Sequence, residues 1–193
     1  MKNLDTIVEV KRLQEQVTYF YIQSLCVRKK MTFEELWNIL EKEVPNKINQ
    51  HNGLNFFVKN RAKFEGWFKV ELCDILSKYT NNITPEKDRI DIVFDDWALE
   101  LKTSNTNYRY ENVENKTKPV TKNVNSIIKD IIDLRDNKSY NKKAVIFIIF
   151  PLSKTTKDWD EHILKIRKEL KNLKEKEFNF KSGTNAMLYC GLV

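Results

Sequence analysis

The sequence predicts an α/β fold: a central mixed β-sheet flanked by helices, with a helical N-terminal extension. Three observations carry this. Apolar residues recur at helical spacing over much of the first 76 positions. The period falls to two between Ile90 and Lys102. The stretch AVIFIIFPL is apolar without alternation, as a strand covered on both faces is.

Each element follows in order. Leu4, Ile7, Val8, Leu13, Val17, Phe20, Tyr21 and Leu25 outline an amphipathic helix over residues 4–28. Thr32 and Glu35 form a T-x-x-E capping box ahead of Leu36, Trp37, Ile39 and Leu40, and Pro45 is the expected stop of that second helix. INQHNGLN reads as a connection, so residues 1–58 form the extension and 59–193 the core. From about Asn60, the spacing of Phe64, Trp67, Phe68, Leu72, Ile75 and Leu76 predicts the first core helix. Two strands come next, around an Asp95-Asp96 turn. Residues 104–120 read as a long polar loop, then Val124, Ile127, Ile128, Ile131, Ile132 and Leu134 mark a helix. After the apolar strand come a charged helix from about Trp159 to Lys176 and a last strand, AMLYCGLV. The order is αββαβαβ, and one more short strand at ITPE would make the core αβββαβ.

Composition narrows the function. The chain has 193 residues, 41% hydrophobic and 32% charged, with 4 Gly and 4 Pro, which suits a globular domain rather than a loop-rich or fibrous one. The net charge of +7 suits a polyanionic partner, although a compositional bias toward lysine would give the same excess. Cys26, Cys73 and Cys190 are odd in number and lack C-x-x-C spacing, so a reducing, cytoplasmic setting is expected. AVIFIIF is too short to span a bilayer, and no membrane partner is expected. With only His51 and His162 a zinc site is not expected, and neither G-x-x-x-x-G-K-[ST] nor G-x-G-x-x-G occurs.

The informative stretch is RIDIVFDDWALELKT, residues 89–103. Acid-x-Lys triplets alone say nothing, since about five are expected from composition. The chain has five: Glu9/Lys11, Glu100/Lys102, Glu114/Lys116, Asp136/Lys138 and Glu169/Lys171. Only Glu100/Lys102 falls in a strand, with acid and lysine on one face. A hairpin closed at Asp95-Asp96 would set Asp91 directly across from Glu100, where like charges destabilise a sheet unless something offsets them. A Mg²⁺ ion would do so, because Mg²⁺ is commonly held by one or two carboxylates plus water and phosphate oxygens. The competing reading is a surface charge cluster of little energetic consequence.

AKFEGWFKVELCDIL, RIDIVF, WALELKT, NVNSIIKDIIDL and AVIFIIF stand in the order helix, strand, strand, helix, strand. That series resembles the PD-(D/E)xK nuclease superfamily, with its restriction endonuclease-like core, over about residues 60–151. The chain departs from the pattern in having Ile90, not proline, before Asp91. The resemblance implies that Asp91, Glu100 and the Leu101 carbonyl hold Mg²⁺, with Mn²⁺ a substitute, and that Lys102 orients or activates the attacking water. It also implies a helix carboxylate, Glu65 in preference to Glu71. The activity implied is metal-dependent hydrolysis of DNA phosphodiesters, of endonuclease type, in restriction, repair or recombination; RNA stays open as a substrate.

Phosphate contacts are expected from Arg109, Lys116, Lys118 and Lys122, with Tyr108 and Tyr110 placed to stack on bases. The first helix could pair two copies into a homodimer, though packing on its own core is the favoured use. Two rivals remain: a catalytically inactive nuclease-fold protein that binds nucleic acid or a protein, and an interaction protein whose charged hairpin is surface only.

Overall fold

A computed structural model of the chain describes residues 30–114 and 119–193. The helix expected over residues 4–28, the homodimer contact built on it, Cys26, Lys116 and Lys118 lie outside the described residues. Thr32–Val193 form one compact unit, so the helices that precede residue 58 in this range belong to the same body as the sheet.

Helix α1, Phe33–Gln50, starts at the expected capping box: the Glu35 amide donates to Thr32 Oγ1 at 3.2 Å and the Thr32 amide to Glu35 Oε2 at 2.8 Å. Pro45 does not stop it. The helix keeps one apolar stripe of Leu36, Leu40, Val44 and Ile48 across the proline, and burial of that stripe outweighs one missing backbone hydrogen bond. The expected connection INQHNGLN is shared between the end of α1 and the start of a short helix, α2, Leu54–Lys59, and α3 begins at Glu65, ending at Ser77.

The short strand foreseen at ITPE is β1, Ile83–Lys87, at one edge of the sheet, where Pro85 costs no central ladder bond. A two-residue turn leads to β2, Ile90–Phe94. Asp88 and Arg89 both take positive φ there (56° and 63°), as the tightest hairpins require. Strand β3, Trp97–Asn105, pairs antiparallel with β2 and parallel with β4, Lys142–Phe150; α4, Val120–Asp136, makes the crossover. A short α5, Asp160–Arg167, precedes β5, Asn172–Asn179, and β6, Asn185–Leu192. The six strands form one mixed sheet in the order β1-β2-β3-β4-β6-β5.

The charged helix expected to reach Lys176 therefore ends at Arg167. The segment NLKEKEFN is instead the far edge strand. Its lysines and glutamates favour a helix locally, but pairing with β6 satisfies the backbone, and charges on an edge strand keep other strands off.

Helix α4, through Val124, Ile127 and Ile131, and α5, through Ile163 and Ile166, cover the sheet face that carries Ala98, Val145, Phe147 and Tyr189. The opposite face receives Phe64, packed on Phe150 and Phe180 at 5.2 and 5.9 Å between ring centroids. Strand β4 is buried on both faces, as its unbroken apolar run predicts.

Candidate active site

Register decides what the hairpin can do. Phe94 pairs with Trp97, Val93 with Ala98 and Ile92 with Leu99. The backbone ladder ends there, and past it the Asp91 side chain takes the Leu101 N–H and lies close enough to Glu100 to act on its carboxyl. Beyond that point β3 runs on alongside β4, and the N-terminal end of α3 closes in: the Phe64 amide donates to Thr103 Oγ1 at 3.0 Å.

The side chains gathered there are half-buried. Asp91 Oδ2 accepts the Leu101 N–H at 2.8 Å, and its Oδ1 lies 2.5 Å from Lys69 Nζ of α3. Burial first, and then the charge and hydrogen bond of Asp91, push the Glu100 carboxyl up to about 9, so it holds its proton at neutral pH. Lys102 Nζ lies 2.8 Å from Asp130 Oδ2 on α4 and 3.7 Å from Glu65 Oε1 on α3. Burial opposes the charge of Lys102, but the Asp130 hydrogen bond and the surrounding carboxylates more than offset this and raise its pKa. It is a firm cation. A cleft of ≈ 460 Å³ opens beside Glu100, lined also by Asp88, Arg89, Asp130, Asp133 and Asn137.

The two helix glutamates touch different parts of the fold. Glu65 accepts the Thr103 amide through Oε2 at 3.2 Å and so reaches the strand that carries Lys102. Glu71 points to α1, 3.1 Å from Lys47 and 3.6 Å from His51. Glu65 thus meets Lys102, and Asp91 lies beside Glu100. The sequence reading missed Lys69 and Asp130, each the closest charged partner of one of these residues.

The loop after β3 has a different character. Arg61, 1% exposed, donates to the backbone carbonyls of Thr106, Tyr108 and Glu114 and holds residues 106–114 in place. Tyr108 packs against the core beside α4, and burial pushes its hydroxyl up to about 12; Tyr110 donates to Asn185 Oδ1 at 2.7 Å. The Tyr108 hydroxyl is buried without a hydrogen-bond partner among the described residues, whereas that of Tyr110 is paired within the fold. Arg109 and Lys122 are exposed.

Among the described residues, no group of three or more His, Cys, Asp or Glu side chains gathers at one point as a metal cluster. Asp91 and Glu100 offer carboxyl oxygens, the donor type that Mg²⁺ takes in ones and twos alongside several waters.

No protein-family model matches this sequence, and no significant match exists among curated proteins or solved structures.

Proposed function

We propose that the chain is a metal-dependent nuclease, of endonuclease type, that hydrolyses DNA phosphodiesters from a restriction endonuclease-like core. The observation that carries this reading is the closeness of two half-buried carboxyl groups, Asp91 and Glu100, with a half-buried lysine, Lys102, two residues along from Glu100 on the same strand. Burial and the neighbouring Asp91 both push the Glu100 carboxyl upward, which a fully solvated surface cluster would not do.

Asp91, Glu100 and the Leu101 carbonyl would hold Mg²⁺ or Mn²⁺. When bound, the ion lowers the pKa of its water and neutralises charge that develops on the phosphate. Lys102 does the remaining electrostatic work. Held charged by Asp130 and Glu65, it donates hydrogen bonds toward the attacking water or a phosphate oxygen and does not serve as a base. Arg109 and Lys122, both exposed, are the described candidates for phosphate contacts along the backbone.

A second reading has an observation of its own. Lys69 already neutralises Asp91, as in a nuclease-fold protein that binds nucleic acid or a partner without cutting. Plasmid and single-stranded DNA incubated with and without Mg²⁺ or Mn²⁺, beside Glu100→Ala and Lys102→Ala, separate the two. Metal-dependent cleavage abolished by both substitutions supports the nuclease; cleavage that survives both sinks this site; tight DNA binding without cleavage favours the second reading.

A further inference from the structure

Lys69 lies one helical turn after Glu65 on α3, and nothing in the hairpin pattern calls for it. Its Nζ is 2.5 Å from Asp91 Oδ1 and also meets the carboxylate of Glu86 on edge strand β1. The lysine side chain is 17% exposed and that of Glu86 69%. With Oδ2 of Asp91 taken by the Leu101 N–H, both oxygens of the carboxylate beside Glu100 are engaged by donors of this chain. One of those donors carries a full positive charge.

We propose that Lys69 is a positioning residue: a resident counter-ion that holds Asp91 in the metal-free protein and competes with a divalent cation for it. The inference rests on the reading of Asp91 and Glu100 as a cation site. An ammonium in contact with a carboxylate oxygen and a divalent ion on the same carboxylate repel each other, so one must withdraw. Glu86 gives the ammonium somewhere to stay. It is already bound to Lys69, is largely in solvent, and lies on the strand next to β2. The lysine therefore shares two carboxylates without the ion and keeps Glu86 alone with it. The cost appears as weaker metal affinity, and the gain as a site that tolerates its own acid density when empty.

The test is Mn²⁺ binding measured by calorimetry on wild type, Lys69→Met and Lys69→Gln, with metal-free thermal unfolding and plasmid cleavage alongside. Competition predicts Mn²⁺ binding roughly tenfold tighter or more in the lysine variants, with a lower metal-free unfolding midpoint. A merely structural role predicts the opposite sign, because a disordered Asp91 would bind Mn²⁺ less well. Equal or weaker binding in a folded variant overturns the proposal, and if wild type still cuts DNA the nuclease reading stands without it. If no protein binds Mn²⁺, both fall. Should neither lysine variant fold by circular dichroism, Glu86→Gln decides: removing the alternative partner should weaken Mn²⁺ binding, and unchanged binding overturns the proposal.

Discussion

Two hairpins of this sheet carry acids and lysines on adjacent strand positions, yet they handle charge in opposite ways. In β5–β6, Lys174 faces Cys190, Glu175 faces Tyr189, Lys176 faces Leu188 and Glu177 faces Met187, so no charge of that run confronts another across the ladder. Those charges find partners at the surface: Lys174 with Glu34 at 3.0 Å, and Glu175 with Lys154 and Arg167 at 3.5 Å each. At the end of the β2–β3 ladder Asp91 lies beside Glu100, and both are half-buried. Charge density is similar. What distinguishes the second hairpin is acid beside acid where burial limits screening, so that one must give up its charge or find a counter-ion, an arrangement that costs stability and therefore points to use.

The largest effect expected from this contrast is on catalysis. Glu100→Ala should lower metal-dependent plasmid cleavage by about 10²-fold or more, the scale for removing a group that holds transition-state charge. Glu175→Ala on the edge strand should leave the rate unchanged. Single-turnover cleavage at saturating Mg²⁺ checks both, and equal losses would erase the distinction between the hairpins.

A smaller effect should follow from the helix that covers the site. Asp130→Asn leaves Lys102 in place but removes its closest counter-charge, at 2.8 Å; a loss of roughly 10–100-fold is expected, as for partners that orient a reacting group. The loss should fall on kcat with KM little changed, and Glu65→Gln, from 3.7 Å, should cost less than Asp130→Asn. Asp130 was not legible from the sequence because NSIIKDIIDL reads as an ordinary amphipathic helix with a polar edge. The only available signal was its place next to Ile131, beside the buried stripe. Lys69 was hidden for a similar reason, since its partner Asp91 is 22 positions away and on another element.

The fold was legible wherever local chemistry and tertiary need agreed. Thr32 and Glu35 began α1 as expected, the unbroken apolar run became the two-sided strand β4, and the turn at Asp95-Asp96 fixed the register that matters. Reading failed where tertiary packing overrode a local signal. Pro45 sits inside α1 because Val44 and Ile48 bury on either side of it, and the Lys/Glu run after Arg167 is a strand because β6 offered a ladder. The polar loop after β3 looked open, but a buried arginine far earlier in the chain gathers three of its carbonyls. Neither the composition of that loop nor its length carries information about Arg61.

The smallest effect expected is on stability, and its sign is fixed by Glu100. The ordinary glutamate value of 4.5 applies to the unfolded chain, and about 9 to the folded one. Between those limits the folded state binds more protons, so its stability is full below the lower value and falls as pH rises toward the upper. A fully shielded group would lose about 1.4 kcal/mol per pH unit; for a half-buried carboxyl the loss from pH 5 to 8 should be on the order of 1–2 kcal/mol. Urea unfolding of the metal-free protein at those pH values measures it. Glu100→Gln should flatten that part of the profile, because the amide cannot ionise, whereas Glu175→Gln should leave the slope as it is. Added Mn²⁺ should reduce the loss at pH 8 in wild type but not in Glu100→Gln, since only an ionised Glu100 gains a partner in the cation. A wild-type slope that Glu100→Gln leaves intact would mean the adjacent carboxyl groups of β2–β3 are solvated after all, and the two hairpins would differ in register alone.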